Sequence, residues 1–398
     1  MPELSRHGVV LMISWLLSFV SVACVDGWTR PTASGDDVST TLVAHAEQQE
    51  SPGAVVDVVE PGVEFLSFSL VDDTTMLLVA VPGNWMFRTG DAGKNWARVG
   101  RVGNFRRWQV VDHREVWGVG ILNFETLIRS QSRQIGCSLD GGKTFMVRPL
   151  VVDDVGTFES FVGRVGDETI LYSMTAAGPG FTAFARDSNS IQSPHDVGRR
   201  GLSNGESKMS CPAGAAIEAA GSVYVSCEEG ILRTDDLGAT WNCGTFFRGG
   251  SYLASFAFDE VTRTVWATCE ETFGGRVSWV LRKVQTGHDD WQRVAEFPDS
   301  WSSLGMAARG GRVAWVVRSR DSDRFDSVST LEPDGSQRSA VVAAGACIGG
   351  LAFDSGNRLW CCTREGLHHE EANGWRQVAD RESILKAPRI DAPPAKDR

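Results

Sequence analysis

The sequence predicts an all-β fold, a seven-bladed β-propeller with four-stranded antiparallel blades. Its 398 residues include 43 glycines and 14 tryptophans but few long helical stretches, which favours many short strands and turns. Apolar strands repeatedly contain a large residue, usually aromatic, at Leu78, Trp117, Tyr172, Tyr224, Trp266, Trp315 and Trp360. The mean spacing of these residues is about 47 positions, which is the length of a propeller blade of four short strands.

A turn motif recurs within this repeat. Its pattern is Ser or Thr, any residue, Asp, any residue, Gly, any residue, Thr or Asn, and an aromatic residue. The three copies contain Thr89, Asp91, Gly93 and Trp96; Ser138, Asp140, Gly142 and Phe145; and Thr234, Asp236, Gly238 and Trp241. Asp and hydroxyl side chains can bond backbone N–H groups within a tight turn, and Gly allows a backbone conformation that a side chain opposes. We therefore interpret these residues as structural parts of a hairpin rather than as catalytic acids. Degraded copies precede Trp291 and Trp375.

The motif resembles the Asp-box, or BNR repeat, of a superfamily of β-propellers. Families built this way include sialidases, certain endoglucanases, sortilin-type receptors and photosystem II assembly factors, and the resemblance implies no specific member. Sialidases of this type use an arginine triad, a Tyr–Glu pair and an acid/base Asp, and they carry an Arg-Ile-Pro sequence that the first blade lacks here. Tyr172 and Tyr224 occupy the structural aromatic position, so both resemble core residues. A sialidase-like glycoside hydrolase with a divergent site is therefore the alternative.

The first 23 residues have the features of an export signal. Arg6 precedes an apolar run that is short for a membrane-spanning helix and suits a signal peptide. Small residues precede Cys24, as in a bacterial lipoprotein signal, so we expect lipidation at Cys24. Ser21 departs from the usual Leu at its position. Plain secretion after cleavage near Ala23, and an uncleaved anchor, therefore stay open.

The rest of the chain divides into three parts. Residues 24–53 are polar with little apolar periodicity, which predicts a flexible tether. Residues 54–379 hold the repeats and are assigned to the propeller. Residues 380–398 contain several prolines and are assigned to a C-terminal tail.

The cysteines allow one candidate disulfide. An even number remains beside Cys24, and in an exported chain this permits disulfides without requiring them. Cys211 and Cys227 flank a hairpin expected to turn near residue 219, which would place them opposite each other. The alternative is that both are buried free thiols.

We predict no metal site and no cofactor. The chain has no Cys-x-x-Cys pair. A run of four candidate ligands occurs at positions 368–371, His-His-Glu-Glu. Neighbouring strand residues point to opposite faces, so these side chains cannot readily converge on one ion.

A partner is expected to bind the loops that depart from the repeat. The connections between successive blades, and those between second and third strands, share one face of a propeller. Loops that break a repeat while the scaffold keeps it are the default functional surface. The candidate residues of this face are Trp85, Arg106, Arg107, Arg199, Arg200 and Arg320. The alternative for the arginines is simple pairing with local acids.

Charge and export together define the expected function. The formal net charge of −11 argues against a nucleic-acid partner. We predict a non-catalytic exported propeller that acts as a binding or assembly module of the bacterial cell envelope. Its partner is expected to be an envelope protein or a glycan, and its membrane attachment a lipid on Cys24.

Overall fold

The structure is a computed structural model that describes fifteen segments of the chain. They are residues 64–81, 85–101, 105–121, 133–150, 158–165, 168–175, 178–185, 195–198, 216–227, 230–243, 253–273, 276–298, 305–318, 326–342 and 348–389. These residues form antiparallel strands and one short helix.

The first three sheets occupy the N-terminal half of the described chain. The first contains β1 (Glu64–Leu70), β2 (Met76–Val81), β3 (Trp85–Thr89) and β4 (Ala97–Arg101). The second contains β5 (Phe105–Val110), β6 (Val116–Ile121), β7 (Arg133–Ser138) and β8 (Met146–Leu150). The third contains β9 (Phe158–Val165), β10 (Glu168–Thr175), β11 (Gly178–Ala185) and β12 (His195–Gly198).

The remaining sheets follow in the same order. The fourth contains β13 (Ala216–Ala219), β14 (Ser222–Cys227), β15 (Gly230–Thr234) and β16 (Asn242–Cys243), and the fifth contains β17 (Leu253–Asp259), β18 (Thr264–Phe273), β19 (Arg276–Gln285) and β20 (Gln292–Pro298). The sixth contains β21 (Met306–Arg309), β22 (Arg312–Arg318), β23 (Asp326–Leu331) and β24 (Gln337–Val341), and the last contains β25 (Ile348–Phe353), β26 (Leu359–Thr363), β27 (Gly366–Glu371) and β28 (Gly374–Asp380).

Every sheet is an antiparallel meander of strands that are consecutive in the sequence. The first strand of each sheet contacts the first strand of the next, and β25 contacts β1, which closes a ring. Radial closure of this kind defines a β-propeller, in which the sheet faces are buried against each other and only short edges remain.

The repeated large residues mark the second strand of each sheet. Leu78 lies in β2, Trp117 in β6 and Tyr172 in β10, and the other four occupy β14, β18, β22 and β26. All seven are at most 4% exposed. The second strand has a paired neighbour on each side and a sheet packed on each face, so a large side chain fills the space between sheets.

The prediction of a seven-bladed propeller with four-stranded antiparallel blades is wrong. Six sheets have four strands of at least four residues each. In the fourth sheet the outermost strand, β16, has two residues and pairs with β15 only at Leu232↔Cys243 and Arg233↔Asn242. Six blades are therefore complete. The spacing of the large residues reports the positions of the second strands, so it does not predict the length of an outermost strand.

The predicted C-terminal tail begins inside ordered structure. Strand β28 ends at Asp380, and the helix α1 (Arg381–Leu385) follows it. Ile384 is fully buried and Ala387 is 7% exposed, in one cluster with Trp96 of the first sheet. Residues 381–389 therefore pack against the propeller, because the apolar side chains of Ile384 and Ala387 belong to its core. Among the described residues, no helix has the length and hydropathy needed to span a membrane.

Candidate functional site

The strand directions give the propeller two chemically different ends. Connections between first and second strands, and between third and fourth strands, lie at one end, which we call the turn end. Connections between second and third strands, and from one sheet to the next, lie at the opposite end, which we call the loop end.

The first turn motif, between β3 and β4, is closed by its own side chains. The Thr89 hydroxyl donates to Asp91 Oδ1 at 2.7 Å and accepts the Gly93 N–H at 3.1 Å. Asp91 Oδ1 also accepts the Asn95 N–H at 2.9 Å, and Oδ2 accepts the Asn95 side-chain amide at 2.7 Å. The carboxylate therefore spans the whole turn, and both of its oxygens are occupied.

The second motif, between β7 and β8, has the same geometry. Asp140 Oδ1 accepts the N–H groups of Lys143 and Thr144, each at 2.9 Å, and Oδ2 accepts the Thr144 hydroxyl at 2.6 Å. The Gly142 N–H donates to the Ser138 hydroxyl at 2.8 Å. Four donors thus converge on two side chains within seven residues.

The third motif, between β15 and β16, repeats this arrangement once more. Asp236 accepts the N–H of Thr240 at 2.8 Å and its hydroxyl at 2.7 Å. The Thr234 hydroxyl accepts the Gly238 N–H at 2.7 Å and donates to Asp236. Asn and Thr alternate at the position before the aromatic residue of the motif, because the side chains of both donate a hydrogen bond to the same carboxylate oxygen of the Asp.

These hydrogen bonds keep the three carboxylates ionised. Burial opposes the charged form of Asp140, but donors from Thr144, Ser138 and Lys143 outweigh it and hold the pKa of Asp140 below its usual value. The Thr240 N–H and hydroxyl lower the pKa of Asp236 in the same way. A carboxylate with a lowered pKa and fully used oxygens is suited to bracing a turn and poorly suited to proton transfer.

The residue before each motif glycine has a left-handed backbone that the sequence pattern did not indicate. Its φ is 57° at Ala92, 71° at Gly141 and 53° at Leu237. The following glycines, Gly93 and Gly142, have φ of 86° and 81°. Two consecutive left-handed residues are therefore needed, and only the second copy of the motif has glycine at both positions.

The aromatic residue that ends each motif packs against the preceding sheet. Phe145 of the second sheet contacts a cluster that includes Leu77 of the first. Trp291, from a degraded copy, meets the Tyr224 ring of the fourth sheet edge-on at 6.0 Å. Trp96 closes the ring in the same way, since it shares a core cluster with Leu367 of the last sheet. The turn end thus holds neighbouring sheets together.

A second set of turn-end aspartates caps the hairpins between first and second strands. Asp72 accepts the N–H groups of Thr74 and Thr75, and Asp112 those of Arg114 and Glu115. The sequence analysis did not assign these residues, although the strand ending Phe-Asp at positions 258–259 and 353–354 was visible as part of the repeat.

Asp259 shows how far such a cap can reach. It is fully buried and accepts the N–H groups of Gly310 at 2.9 Å and Gly311 at 2.6 Å, in the first hairpin of the sixth sheet. Despite its burial, these donors and Thr262 hold the pKa of Asp259 below its usual value. One carboxylate therefore fastens the fifth sheet to the sixth.

An ion-pair network fastens the sixth sheet to the last. Arg312 in β22 is 6% exposed, and its guanidinium lies 2.9 Å from Glu332 and 2.5 Å from Glu370 in β27. Arg338 in β24 contacts the same two carboxylates, at 2.9 and 2.5 Å. Because every charge in this group has an opposite partner, the network is a satisfied structural element.

The described residues of the predicted ligand face lie in two strands of different sheets. Trp85 begins β3 and is 8% exposed, with the Arg98 guanidinium 4.8 Å from its ring centroid, so little of the indole is left for a ligand. Arg106 and Arg107 lie in β5, the first strand of the second sheet, where the pairing shifts between Phe105 and Arg107.

Several sequence predictions lie outside the described residues. Arg199, Arg200 and Arg320 are among them, as are the export signal, the tether, Cys24 and Cys211. Cys227 ends β14. Cys137, Cys269, Cys361 and Cys362 are buried.

The two histidines of β27 are buried and separate. His368 lies 3.1 Å from the Thr363 hydroxyl, and His369 packs against the Trp360 ring with centroids 5.1 Å apart. Burial lowers the pKa of both histidines, so both are held in the neutral form. Among the described residues, no group of three or more His, Cys, Asp or Glu side chains is arranged to hold a metal ion.

No protein-family model and no curated protein matches this chain. Several solved structures resemble it, among them the following three. A GH74 xyloglucanase from Xanthomonas campestris has 12% identity and a TM-score of 0.57, over 78% of this chain and 52% of that one. The extracellular domain of a hybrid two-component system of B. thetaiotaomicron, BT4673, has 12% identity and a TM-score of 0.51. The similarity covers 80% of this chain and 39% of that one. The structure of YCF48 bound to D1 peptide has 17% identity over 72% of this chain and 83% of that one, with a TM-score of 0.48.

These similarities concern the fold alone. The sheets and the ring they close identify the chain as a β-propeller protein. It spans about half of the xyloglucanase and less of the two-component system domain, so the activity of neither protein follows from the similarity.

Proposed function

We propose that this protein is a non-catalytic, exported propeller that binds a protein or glycan partner of the cell envelope through its loop end. The observation that carries the proposal is the division between the two ends. At the turn end the acidic side chains of the motifs are occupied by hydrogen bonds within the turns and between sheets. The sequence that departs from the repeat belongs to the other end.

The lengths of the connections support this division. Described hairpins of the turn end are short and similar, such as 71–75, 111–115 and 354–358. Connections of the loop end differ widely, because residues 122–132, 199–215 and 244–252 each separate two strands there. A scaffold that repeats at one end and varies at the other is typical of a protein that uses the variable end for recognition.

The proposed attachment to the membrane runs through Cys24. A lipid on this residue would hold the propeller by the polar segment 24–53, which as a random coil would reach roughly 30 Å. A single acyl chain binds a membrane only marginally, so stable anchoring requires more than one chain, as on a processed lipoprotein cysteine.

Photo-crosslinking in the native host tests the binding surface. A benzophenone amino acid is placed in the full chain at Arg199 or Arg320, and in matched variants at the exposed turn-end positions Lys94 or Lys143. We expect the loop-end positions to give a defined protein or glycan adduct by mass spectrometry, and the turn-end positions to give none. Equal adducts from both ends would contradict the proposal.

Two further measurements test the rest of the proposal. The purified protein is incubated with sialosides and with xyloglucan, and release of sugar would show that it is a hydrolase. For the anchor, intact mass spectrometry of the mature N-terminus should show acyl chains on Cys24, and Cys24→Ser should move the protein to a soluble fraction or block its maturation. An unlipidated mature terminus would leave a secreted propeller.

A further inference from the structure

The C-terminal segment 381–389 connects the two sheets that close the ring. The first sheet is formed wholly by residues 64–101 and the last wholly by residues 348–380. Among the described residues, no strand is exchanged between these two sheets. Their union rests on the apolar cluster that joins Phe68, Leu78 and Trp96 to Trp360 and Leu367, on a contact of Asp73 with the Ser355 N–H at 2.6 Å, and on the segment 381–389.

The beginning of this segment is fixed to the last sheet. Asp380 accepts the Ser383 N–H at 2.7 Å and so caps α1, while the Arg381 N–H donates to the Glu365 carbonyl at 2.9 Å. The Glu365 carbonyl also accepts the Gln377 side-chain amide at 2.8 Å. One carbonyl at the β26–β27 turn therefore anchors both β28 and the helix that follows it.

The end of this segment is fixed to the first sheet. The Arg98 N–H in β4 donates to the Pro388 carbonyl at 2.7 Å, and Arg389 forms a parallel bridge with Arg98. Since β4 is the outermost strand of its sheet, the segment covers an edge that would otherwise be unpaired. Between the two attachments, Ile384 and Ala387 enter the apolar cluster that contains Trp96 and Leu367.

We propose that residues 381–389 are a detachable latch, which closes the propeller by docking into the groove between the last and first sheets. Two features make it separable from the sheets. Its helix has five residues, too few to be stable without the groove. Its buried anchors are Ile384 and Ala387, while Glu382, Lys386 and Pro388 are exposed. A unit with so few buried side chains opens at lower free energy than the sheets it holds.

Truncation and peptide complementation test the latch. A chain ending at Asp380 is compared with a chain ending at Arg389 by amide hydrogen exchange. Loss of the latch should raise exchange about tenfold or more in β4 and β28, while β18 and β19 of the distant fifth sheet keep their protection. A synthetic peptide of residues 381–398 should restore the protection, and the same peptide carrying Ile384→Asp should not. The chain ending at Arg389 should behave as the full protein does.

Each outcome decides the proposal. Unchanged exchange in β4 and β28 after truncation, or equal loss of protection in the fifth sheet, would overturn it. If the chain ending at Asp380 does not fold, the full chain with Ile384→Ala replaces it, and Val261→Ala serves as the control because Val261 is 62% exposed at a turn. Faster exchange confined to the first and last sheets supports the latch, and uniform exchange overturns it.

Discussion

The turn end and the loop end are made from the same strands but follow different rules. At the turn end, Asp91 and Asp140 adopt one hydrogen-bond pattern in two different sheets, and Asp259 extends it from one sheet to the next. At the loop end, the connections differ in length and sequence from sheet to sheet. Repetition thus accompanies side chains whose hydrogen-bonding capacity is used within the protein, and variation accompanies the surface that we propose for partner binding.

The largest expected loss of stability comes from a substitution at the loop end. It therefore limits the contrast between a structural turn end and a variable loop end. Gly366 follows the β26–β27 turn, and a Cβ placed on it would lie 2.1 Å from the Ala379 carbonyl oxygen. Gly366→Ala should lower the free energy of unfolding by about 3 kcal/mol or more, because β28 must move. Chemical denaturation measures the loss.

Gly374→Ala is a matched control for that substitution. The two glycines have φ of 135° and 133°, but no atom lies within 4 Å of a Cβ on Gly374. Its variant should show backbone strain alone, on the order of 1–2 kcal/mol. Equal losses in the two variants would mean that the backbone conformation, rather than the close approach of β28, controls this position.

The next effect tests the turn end directly. Asp140→Ala removes the acceptor for two N–H groups and the Thr144 hydroxyl, so it should lower stability by about 1–3 kcal/mol. Crosslinking from the loop end should survive in the molecules that fold. An unchanged melting temperature together with lost crosslinking would reverse the roles assigned to the two ends.

A pH-dependent effect is expected in the last sheet. Burial lowers the pKa of His368 and His369 in the folded protein below the value of 6.5 expected when unfolded. The unfolded chain therefore binds protons more readily, and the free energy of unfolding should fall as pH drops through 6.5 toward the lower folded value. Denaturation at pH 8 and pH 5.5 measures this fall.

Single substitutions show whether the buried histidines cause that fall. His368→Gln should reduce the difference between the two pH values, whereas replacement of the exposed His288 by Gln should leave it unchanged. A fall that is the same in both variants would assign the pH dependence to other groups.

The smallest effect concerns the left-handed residue of the motifs. Ala92→Gly relieves a strained φ of 57° but increases the freedom of the unfolded chain, so the two effects nearly cancel. We expect a change in the free energy of unfolding of less than about 1 kcal/mol, measured by denaturation. The reverse change, Gly141→Ala, should be worse, since a Cβ there would lie 3.0 Å from the His113 carbonyl. A large loss in Ala92→Gly would show that the Ala92 methyl group matters more than its backbone.

The propeller fold was predictable because its signals are local or periodic. The large residue of each second strand, such as Trp117, must fill a buried space between sheets, so it recurs. Asp140 and its partners lie within seven residues, so their pattern is readable from the sequence. Neither inference needs long-range information.

Features that depend on contacts between distant residues could not be predicted in this way. The shortness of β16 could not be predicted from the repeat, because the recurring large residues lie in the second strands. Burial of Ile384 depends on a groove between residues about 290 positions apart in sequence, so the segment was assigned to a tail. Trp85 was assigned to the ligand face, and its burial beside Arg98 likewise depends on how the first sheet packs.

The continuity of each sheet in sequence has a consequence for how the protein is made. A sheet whose strands are neighbours in the chain can pair as soon as its own residues have been synthesised, and such local pairing is rapid. The first sheet, however, must wait through the synthesis of all the others before it meets the last. During that interval the surface of the first sheet that will meet the last sheet is open to other chains, so aggregation in the cell should depend on how quickly the final residues arrive.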